Sequence, residues 1–428
     1  MLLPLKNCLE KTMNQFVKRD FDGAPLTSHI PAVPVQPAAS ATANASVFLR
    51  LLPIILAVFI GFLIIGMQMP VLPLHLHDTL GMGTLVVGLV VGSQFAAALL
   101  SRAWAGNFAD VRGAKRAVIS GFLVAASSGL IYLASLAFVD APVTSVWILL
   151  SGRMLLALGE SLVVTGVLGW GIGLVGPQNA GKVMSWVGIA MFSAYGLGAP
   201  VGVMVNAHLG FAGIAVATML IPLLAVMVVS GVQAVAPGAA RRTPFYKVLA
   251  AVWKPGLGLA FSSVGFGLIT AFIALLFAAR NWGNASLAFT VFGVAFIGAR
   301  IPFGHLPDKL GGARVALVCV AIEAVGQCLI WTADTSPVAY LGVALTGFGY
   351  SLAFPAFGVE AVRRAPPQAR SLAMGGYVAF LDISLAITSP LAGALAAMGG
   401  IASVYLVGAA AGALSFCVAL MLLSGKSK

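Results

Sequence analysis

Two similar stretches, SRAWAGNFADVRGAKR (residues 101–116) and ARIPFGHLPDKLGGAR (residues 299–314), decide the fold. They lie 198 residues apart and share Arg102 with Arg300, Gly106 with Gly304, Asp110 with Asp308 and Arg116 with Arg314. The separation is nearly half the chain, and each copy follows the second long apolar run of its half. The two halves are therefore predicted to be repeats that run in the same direction through a common architecture.

The sequence between and around these stretches is strongly apolar. The chain has 428 residues, of which 60% are hydrophobic and 8% are charged. Apolar runs of about 20 residues, the length that crosses a bilayer, recur along it. They predict an all-α membrane protein with twelve transmembrane helices at roughly 48–72, 84–105, 115–138, 145–172, 179–206, 211–233, 251–278, 285–304, 313–333, 337–360, 370–395 and 401–423.

The basic residues predict the orientation. The net charge is +12, but Lys and Arg are spread over alternate short loops without a single patch, which argues against nucleic acid as a partner. The positive-inside rule places these loops and both termini in the cytoplasm. The predicted organisation is a disordered cytoplasmic tail at 1–46, six-helix halves at 47–233 and 251–424, a cytoplasmic linker at 234–250 and a short tail at 425–428.

The first stretch resembles the loop motif of the major facilitator superfamily, Gly-x-x-x-Asp-Arg-x-Gly-Arg-Arg/Lys, which joins helices 2 and 3. The match is carried by Gly106, Asp110, Gly113 and Lys115. Val111 and Ala114 stand where that family has Arg; Arg112 directly follows Val111, and Arg116 lies two residues after Ala114. The second copy has Lys309 at the place of the first missing Arg.

Two further segments resemble the same family. Arg153 and Gly159 match its helix 4 motif, and Pro200 lies in a helix 5 antiporter motif, with Ala199 in place of the preceding Gly. The segment GVEAVRRAPPQAR (358–370) and the SRxxAG turn are similar to sequences of the YhhS/YfcJ-type bacterial subgroup. The resemblance implies a transporter that works by alternating access, with its cavity at the midplane between the halves. We expect a multi-pass protein of the bacterial inner membrane that functions as a monomer.

The motif loops are predicted to form a cytoplasmic gate. In the family, the acid of the first loop meets the N-terminus of helix 11, where the helix dipole favours negative charge. In this chain Asp110 would therefore meet the helix that begins near Ser371 and hold the cytoplasmic side shut. The predicted gate residues are Gly106, Asp110, Arg112, Lys115, Arg116, Gly304, Asp308, Lys309, Arg314 and Glu360.

Three ionisable residues within helices are predicted to couple transport to protons, because buried charge in a membrane is costly and usually functional. Arg153 and Glu160 lie seven residues apart on helix 4 and so face the same way, about 10 Å apart. Asp382 lies near the middle of helix 11. A carboxyl group shielded from water takes up a proton more readily, which a proton-coupled carrier requires.

The predicted function is secondary transport of a small organic solute, coupled to protons and directed outward. An uptake symporter for a sugar or an organic acid is the alternative that the sequence leaves open. The chain has neither the phosphate-binding loop of an ATP-driven pump nor a nucleophile–base or metal-ligand constellation, so no enzyme activity, cofactor or metal is predicted. Predicted cavity residues are Gln68, Gln94, Tyr195, Tyr350 and Tyr377.

Overall fold

The structure is a computed structural model that describes residues 38–176, 179–235, 245–364 and 370–424. The chain divides into two compact units, Met1–Ser46 and Val47–Lys428, and all contacts below lie within the second unit. Most of the predicted N-terminal tail, the middle of the predicted linker and the tail at 425–428 lie outside the described residues. Of the first unit, residues 38–46 are described and are helical.

The described residues are almost entirely helical. The first half comprises α1 (Ala38–Leu74, extended by a π-helical turn, His75–Thr79), α2 (Thr84–Arg112), α3 (Ala114–Leu136), α4 (Pro142–Val175) and the segment Ala180–Ser230, which contains α5 and α6. The second half comprises α7 (Phe245–Ala279), α8 (Ser286–Phe303), a short helix (Leu306–Leu310), α9 (Gly312–Trp331), α10 (Ser336–Arg364), α11 (Arg370–Gly399) and α12 (Ser403–Ser424).

The twelve-helix prediction is confirmed. Eleven helical segments in the described chain are long and apolar enough to cross a membrane. The longest of them is interrupted at Gly210, whose φ of 61° and ψ of −166° are not helical, so this segment is two helices. Glycine accepts this conformation because it has no Cβ to clash with the neighbouring carbonyl.

The helix ends differ from the prediction at the first motif stretch. Gly106 was expected to end the second helix, but α2 continues through it to Arg112 and ends at Gly113. The reason is steric, because Gly113 has a φ of 93°, which side chains rarely adopt. A Cβ on Gly106 would meet nothing closer than 3.9 Å, so Gly106 fits within the helix. Asp110 and Arg112 therefore lie on the last turns of a helix.

The two outer boundaries also differ. α1 begins at Ala38 rather than near residue 48, and residues 38–46, assigned to a disordered tail, include five alanines, the residue with the highest helix propensity. α7 begins at Phe245, within the segment that was assigned to the linker. Helix propensity thus accounts for the extension of α1 beyond the apolar segment from which it was predicted.

The parallel repeat is visible in the backbone. Gly113 has φ 93° and ψ 143° before α3, and Gly311 has φ 92° and ψ 137° before α9. These glycines are 198 residues apart, the separation of the two sequence copies. In the second copy the preceding helix stops at Phe303 and a short helix follows, with Pro302 and Pro307 at this break. We call the end of the bundle that carries Gly113 and Gly311 the motif end.

The two halves pack against each other along α2 and α11. The Thr84 hydroxyl donates to the Gly393 carbonyl oxygen at 2.8 Å, near the end of the bundle opposite the motif end. Farther along, a Cβ placed on Gly88 would collide with the Ser389 carbonyl oxygen, so the helices approach to backbone contact. Small residues make such an approach possible between membrane helices.

A second contact between the halves joins α5 and α8. The Thr290 hydroxyl of α8 donates to the Gly196 carbonyl oxygen of α5 at 2.7 Å. Within the first half, Gly198, two residues before Pro200, lies against α1, where an added Cβ would be 2.6 Å from the Leu63 carbonyl oxygen. The small residues around Pro200 thus bring α5 close to α1 as well as to α8.

Candidate functional site

Polar side chains cross the bundle from α1 to α11 through otherwise apolar surroundings. We call this set the polar column, and it consists of Gln68, Gln94, Arg102, Arg153, Glu160 and Asp382. α1 contributes the first residue, α2 the next two, α4 the arginine and the glutamate, and α11 the aspartate. Each member pairs with a residue from another helix, so the column depends on the tertiary structure.

Arg153 is held by an amide rather than by an acid. Its Nη1 donates to Gln68 Oε1 at 3.0 Å, and Gln68 Nε2 donates to the Thr218 hydroxyl at 3.0 Å. The Tyr132 hydroxyl donates to the same Gln68 oxygen at 3.3 Å. Arg153 is 5% exposed, and its Nε is buried with no hydrogen-bond partner among the described residues. The guanidinium thus keeps unused hydrogen-bonding capacity.

Glu160 also pairs with a glutamine. Gln94 Nε2 donates to Glu160 Oε2 at 2.7 Å, while Glu160 remains only partly buried. Gln94 Oε1 is buried and has no hydrogen-bond partner within the described chain. The amide partner carries no charge of its own, so the charge of this carboxylate responds to the charged groups around it.

Asp382 forms the one ion pair that joins the two halves in the described structure. Arg102 Nε donates to Asp382 Oδ2 at 2.7 Å, and the side chains are 25% and 4% exposed, respectively. Sequence reasoning identified Asp382 but noted Arg102 only as a repeated residue. The repeat was a usable signal, because a charge retained in both copies within an apolar helix must be accommodated by the fold.

The structure brings the three residues that were predicted for proton coupling into one electrostatic system. Glu160 interacts electrostatically with Arg153, Asp382 and Arg102. Arg153 and Glu160 face the same side of α4 without a direct bond, as their seven-residue spacing predicts. Their partners Gln68 and Gln94, which were predicted only as cavity residues, complete the connection.

A small cavity lies at the Arg153 end of the polar column. Its volume is about 30 Å³, enough for a water molecule and too small for an organic solute. Gln68, Gln94, Arg153 and Thr270 supply its polar groups, and apolar residues of α1 and α2 supply the remainder. The halves are thus closed around this part of the site in the conformation described.

An aromatic cluster lies at the contact between the halves. It consists of Phe192 and Tyr195 of α5, Phe266 of α7, Phe292 and Phe296 of α8, and Tyr350 of α10. Sequence reasoning identified its two tyrosines but none of its phenylalanines, because a Phe in an apolar helix carries no signal of its own. Tyr377 lies apart from this cluster, and its hydroxyl donates to the Phe354 carbonyl oxygen at 2.6 Å.

Two predicted gate residues stabilise helix ends within their own halves. Lys115 Nζ donates to the carbonyl oxygens of Ser230 and Val232, at the C-terminal end of α6, at 2.6 and 2.7 Å. Glu360 Oε1 accepts the Ala313 backbone N–H at 3.1 Å, at the N-terminal end of α9. Both charges suit the dipole of the helix that they meet.

The remaining charged gate residues are exposed at the motif end; they are Asp110, Arg112, Arg116, Asp308, Lys309 and Arg314. None takes part in an ion pair within the described part of the chain. Gly106 is partly buried within α2, and Gly304 is partly buried at the C-terminal end of α8. The side chain of Ser371, near the expected partner of Asp110, lies outside the described residues.

Comparison with known proteins gives the family. The family model described as "Major Facilitator Superfamily" matches residues 54–282 and 256–428. The chain belongs to the major facilitator superfamily. The superfamily architecture of two six-helix halves accounts for the repeat at Gly113 and Gly311, and the family supports a multi-pass membrane protein that acts as a secondary transporter.

Relatives of this superfamily member occur in several bacteria. An uncharacterized MFS-type transporter of Salmonella typhimurium is 41% identical over 367 residues, which cover 86% of this chain and 95% of the relative. An uncharacterized MFS-type transporter of Pseudomonas aeruginosa is 43% identical over 401 residues, covering 90% and 96%. These relatives are transporters, and no catalytic family is indicated.

Solved structures share the fold at low identity. A D-xylose-proton symporter superposes with a TM-score of 0.69 at 16% identity and covers 87% of this chain and 97% of its own. The human organic anion transporter MFSD10 gives a TM-score of 0.65 at 14% identity, covering 86% and 98%. At these identities the comparison establishes the superfamily fold.

Proposed function

We propose that the protein exports a small organic solute in exchange for protons, by alternating access, as a proton antiporter. The observation that supports this function is the electrostatic system of Glu160, Asp382 and Arg102, which crosses the contact between the halves. Carboxyl groups inside a membrane protein are typical of proton relays. Protons are the proposed coupling ion, and no cofactor is proposed.

Protonation of Asp382 would couple proton binding to movement. The Asp382 carboxylate holds Arg102 across the contact between α11 and α2. A protonated Asp382 loses its charge, so its attraction to the guanidinium weakens and the two helices separate more easily. A ligand shifts a conformational balance only if it binds the two states unequally, and a proton on Asp382 meets this condition.

Glu160 is proposed to connect the proton to the substrate. It interacts electrostatically with Arg102 and Asp382 and accepts a hydrogen bond from the cavity residue Gln94. A substrate that hydrogen-bonds to the free oxygen of Gln94, or to Arg153, would change the field at Glu160 directly. Substrate binding and proton binding at this site are then linked in both directions.

The motif end is proposed to face the cytoplasm, with both termini on that side and the protein in the bacterial inner membrane. The basic residues of the motif loops support this orientation by the positive-inside rule. The relatives in Salmonella and Pseudomonas are bacterial, which supports the location. A single copy contains both halves of the site, so we propose a functional monomer; the assignment to the YhhS/YfcJ-type subgroup stays a prediction.

The motif end is also proposed to act as the gate. Asp110 is exposed here, while α2 and α11 are in contact at the opposite end. We propose that Asp110 engages the N-terminus of α11 when the motif end closes. Lys115 and Glu360 hold the ends of α6 and α9 in place during this movement.

Transport by purified protein in liposomes tests this function. An imposed pH gradient should drive flux of at least one solute in a mixed metabolite panel. Protons and solute that move in opposite directions indicate export, whereas movement in the same direction indicates the alternative, symport of a sugar or an organic acid. Glu160→Gln and Asp382→Asn should abolish the pH dependence of flux. Asp334→Asn, at an exposed loop position, is the matched control. Full coupling in both site variants would refute the assignment.

A further inference from the structure

The repeat allows two equivalent arginines to be compared. Arg102 of the first copy is neutralised by Asp382, at 2.7 Å. Arg300 of the second copy has no carboxylate within 4.0 Å among the residues that the structure describes. Its Nη1 donates to the Ser351 carbonyl oxygen at 2.8 Å, and its Nε is buried without a hydrogen-bond partner in the described chain. The second copy therefore carries a partly buried cation that has no carboxylate partner among the described residues.

Arg300 points its free side toward the contact between the halves. A Cβ placed on Gly188 of α5 would lie 3.5 Å from Arg300 Nη2, so the guanidinium faces the other half at a position without a side chain. The guanidinium carbon is also 5.4 Å from the centre of the Phe296 ring. Neither a carbonyl oxygen nor a ring face supplies the full negative charge that would neutralise the guanidinium.

A cation that is partly withdrawn from water and has no counter-ion is costly, and an anion that enters the site reduces this cost. A carboxylate suits this position, because the planar guanidinium can present two N–H groups to it in parallel. The buried Nε and the Nη2 that faces Gly188 are the groups available for such a contact. Arg300 thus has the chemistry of an anion-binding residue.

The aromatic cluster adjoins this cation. Phe296, over which the guanidinium lies, stacks on Phe192 of the other half with ring centroids 3.8 Å apart and planes at 22°. Phe266 stacks on Tyr350 with centroids 5.4 Å apart and planes at 8°. Aromatic rings stack favourably on other flat apolar groups, so either face of this pair would suit one if it became accessible. Because Phe192 and Phe296 belong to different halves, movement of the halves would open the space between them.

We propose that Arg300 and the aromatic cluster form the substrate subsite of the second half, and that the substrate is an organic anion with a carboxylate next to a flat apolar group. The carboxylate binds Arg300, and the apolar group lies between Phe192 and Phe296. This inference rests on the proposed transport function and adds the class of substrate. The first half would then handle protons, while the second half recognises the anion.

Benzoate and benzamide test the proposal, because they have nearly the same shape and differ in charge. Binding of each probe to the purified full-length protein is measured by calorimetry and by thermal stabilisation. Benzoate should bind at least about tenfold more tightly than benzamide, a difference of about 1.4 kcal/mol. Arg300→Gln should remove this preference by weakening benzoate alone. Arg280→Gln is the control, since Arg280 is exposed and also lies over an aromatic ring.

Arg300→Lys keeps the charge but loses the paired N–H groups, so it should retain part of the preference for benzoate over benzamide. This variant also tests the proposal if Arg300→Gln does not fold. Phe192→Leu should weaken both probes alike. Equal affinities in the wild type, no benzoate binding at about 1 mM, or a preference that survives in Arg300→Gln would overturn the proposal. These measurements need no pH gradient, so their failure is distinct from a failure of proton coupling at Glu160 and Asp382.

Discussion

The Asp382→Asn variant should shift the protein away from the conformation described here. The pair that it breaks joins Arg102 Nε to Asp382 Oδ2 at 2.7 Å. Removing one partner of a fully buried ion pair costs about 3–5 kcal/mol. The Arg102 side chain is 25% exposed, so this pair is not fully buried. The cost is therefore closer to that of one charge-assisted hydrogen bond, about 1.5–3 kcal/mol. This range corresponds to about 10- to 150-fold in a conformational equilibrium.

A cysteine at Ser389 reports on this equilibrium. Ser389 is fully buried on α11, and its carbonyl lies against Gly88 of α2 at the closed end of the contact. It is seven residues from Asp382, two turns along the same face of the helix. In a cysteine-free background, Ser389→Cys should react slowly with a membrane-impermeant thiol reagent. Adding Asp382→Asn should raise the labelling rate about tenfold or more, because the rate follows the open fraction.

Two further variants make the result interpretable. Arg102→Gln combined with Asp382→Asn should label more slowly than Asp382→Asn alone, since no unpaired cation then remains. Asp334→Asn removes an exposed carboxylate elsewhere and should leave labelling unchanged. A labelling rate in Asp382→Asn within twofold of the background, or effects of the two site substitutions that simply add, would show that the pair does not hold the halves together.

Three other substitutions should have distinct outcomes. Asp110→Asn should shift the population toward a motif end that stays open and reduce transport, with less than about 0.5 kcal/mol change in stability because Asp110 is exposed; normal transport by well-expressed protein would contradict the proposed role of Asp110 in the gate. Gly88→Ala should reduce flux at equal expression, because the added methyl group collides with the Ser389 carbonyl oxygen, whereas Gly83→Ala, with no atom near its Cβ, should not; equal flux would exclude close packing as essential. Glu360→Gln should lower the thermal unfolding midpoint in detergent, consistent with a loss of about 1–3 kcal/mol, because it removes a buried charge that caps α9 and pairs with Arg364 at 2.7 Å; an unchanged midpoint would show that this charge is dispensable.

The positions of the helices were predictable, but their ends were less so. Apolar segments locate a membrane span by composition, and all twelve were found. The end of α2 was misplaced at Gly106 because the sequence contains Gly106 and Gly113 seven residues apart, and either is compatible with a helix end. Only the backbone shows that Gly113 has the φ of 93° that requires glycine. Composition therefore locates helices, while local conformation decides where they stop.

The members of the site were partly predictable. Arg153, Glu160 and Asp382 stand out because charge is rare in these helices, and the structure places them in one electrostatic system. Their partners did not stand out, because glutamine and a repeated arginine have many structural uses. The aromatic cluster was missed for the opposite reason, since aromatic residues are common in membrane helices. The contacts of these residues in the folded protein, rather than their residue types, decide their roles.

The sequence by itself determined the membrane class, the helix count, the parallel repeat and the family, because hydropathy and repetition are properties of segments read along the chain. Only the tertiary structure decided that Arg102 meets Asp382, 280 residues away, and that Arg300, its counterpart, meets no acid in the described chain. A helix that is apolar on every side has no polar face to indicate which side packs against other helices. Its neighbours are therefore set by packing against other helices, and the chemistry of the site depends on that packing.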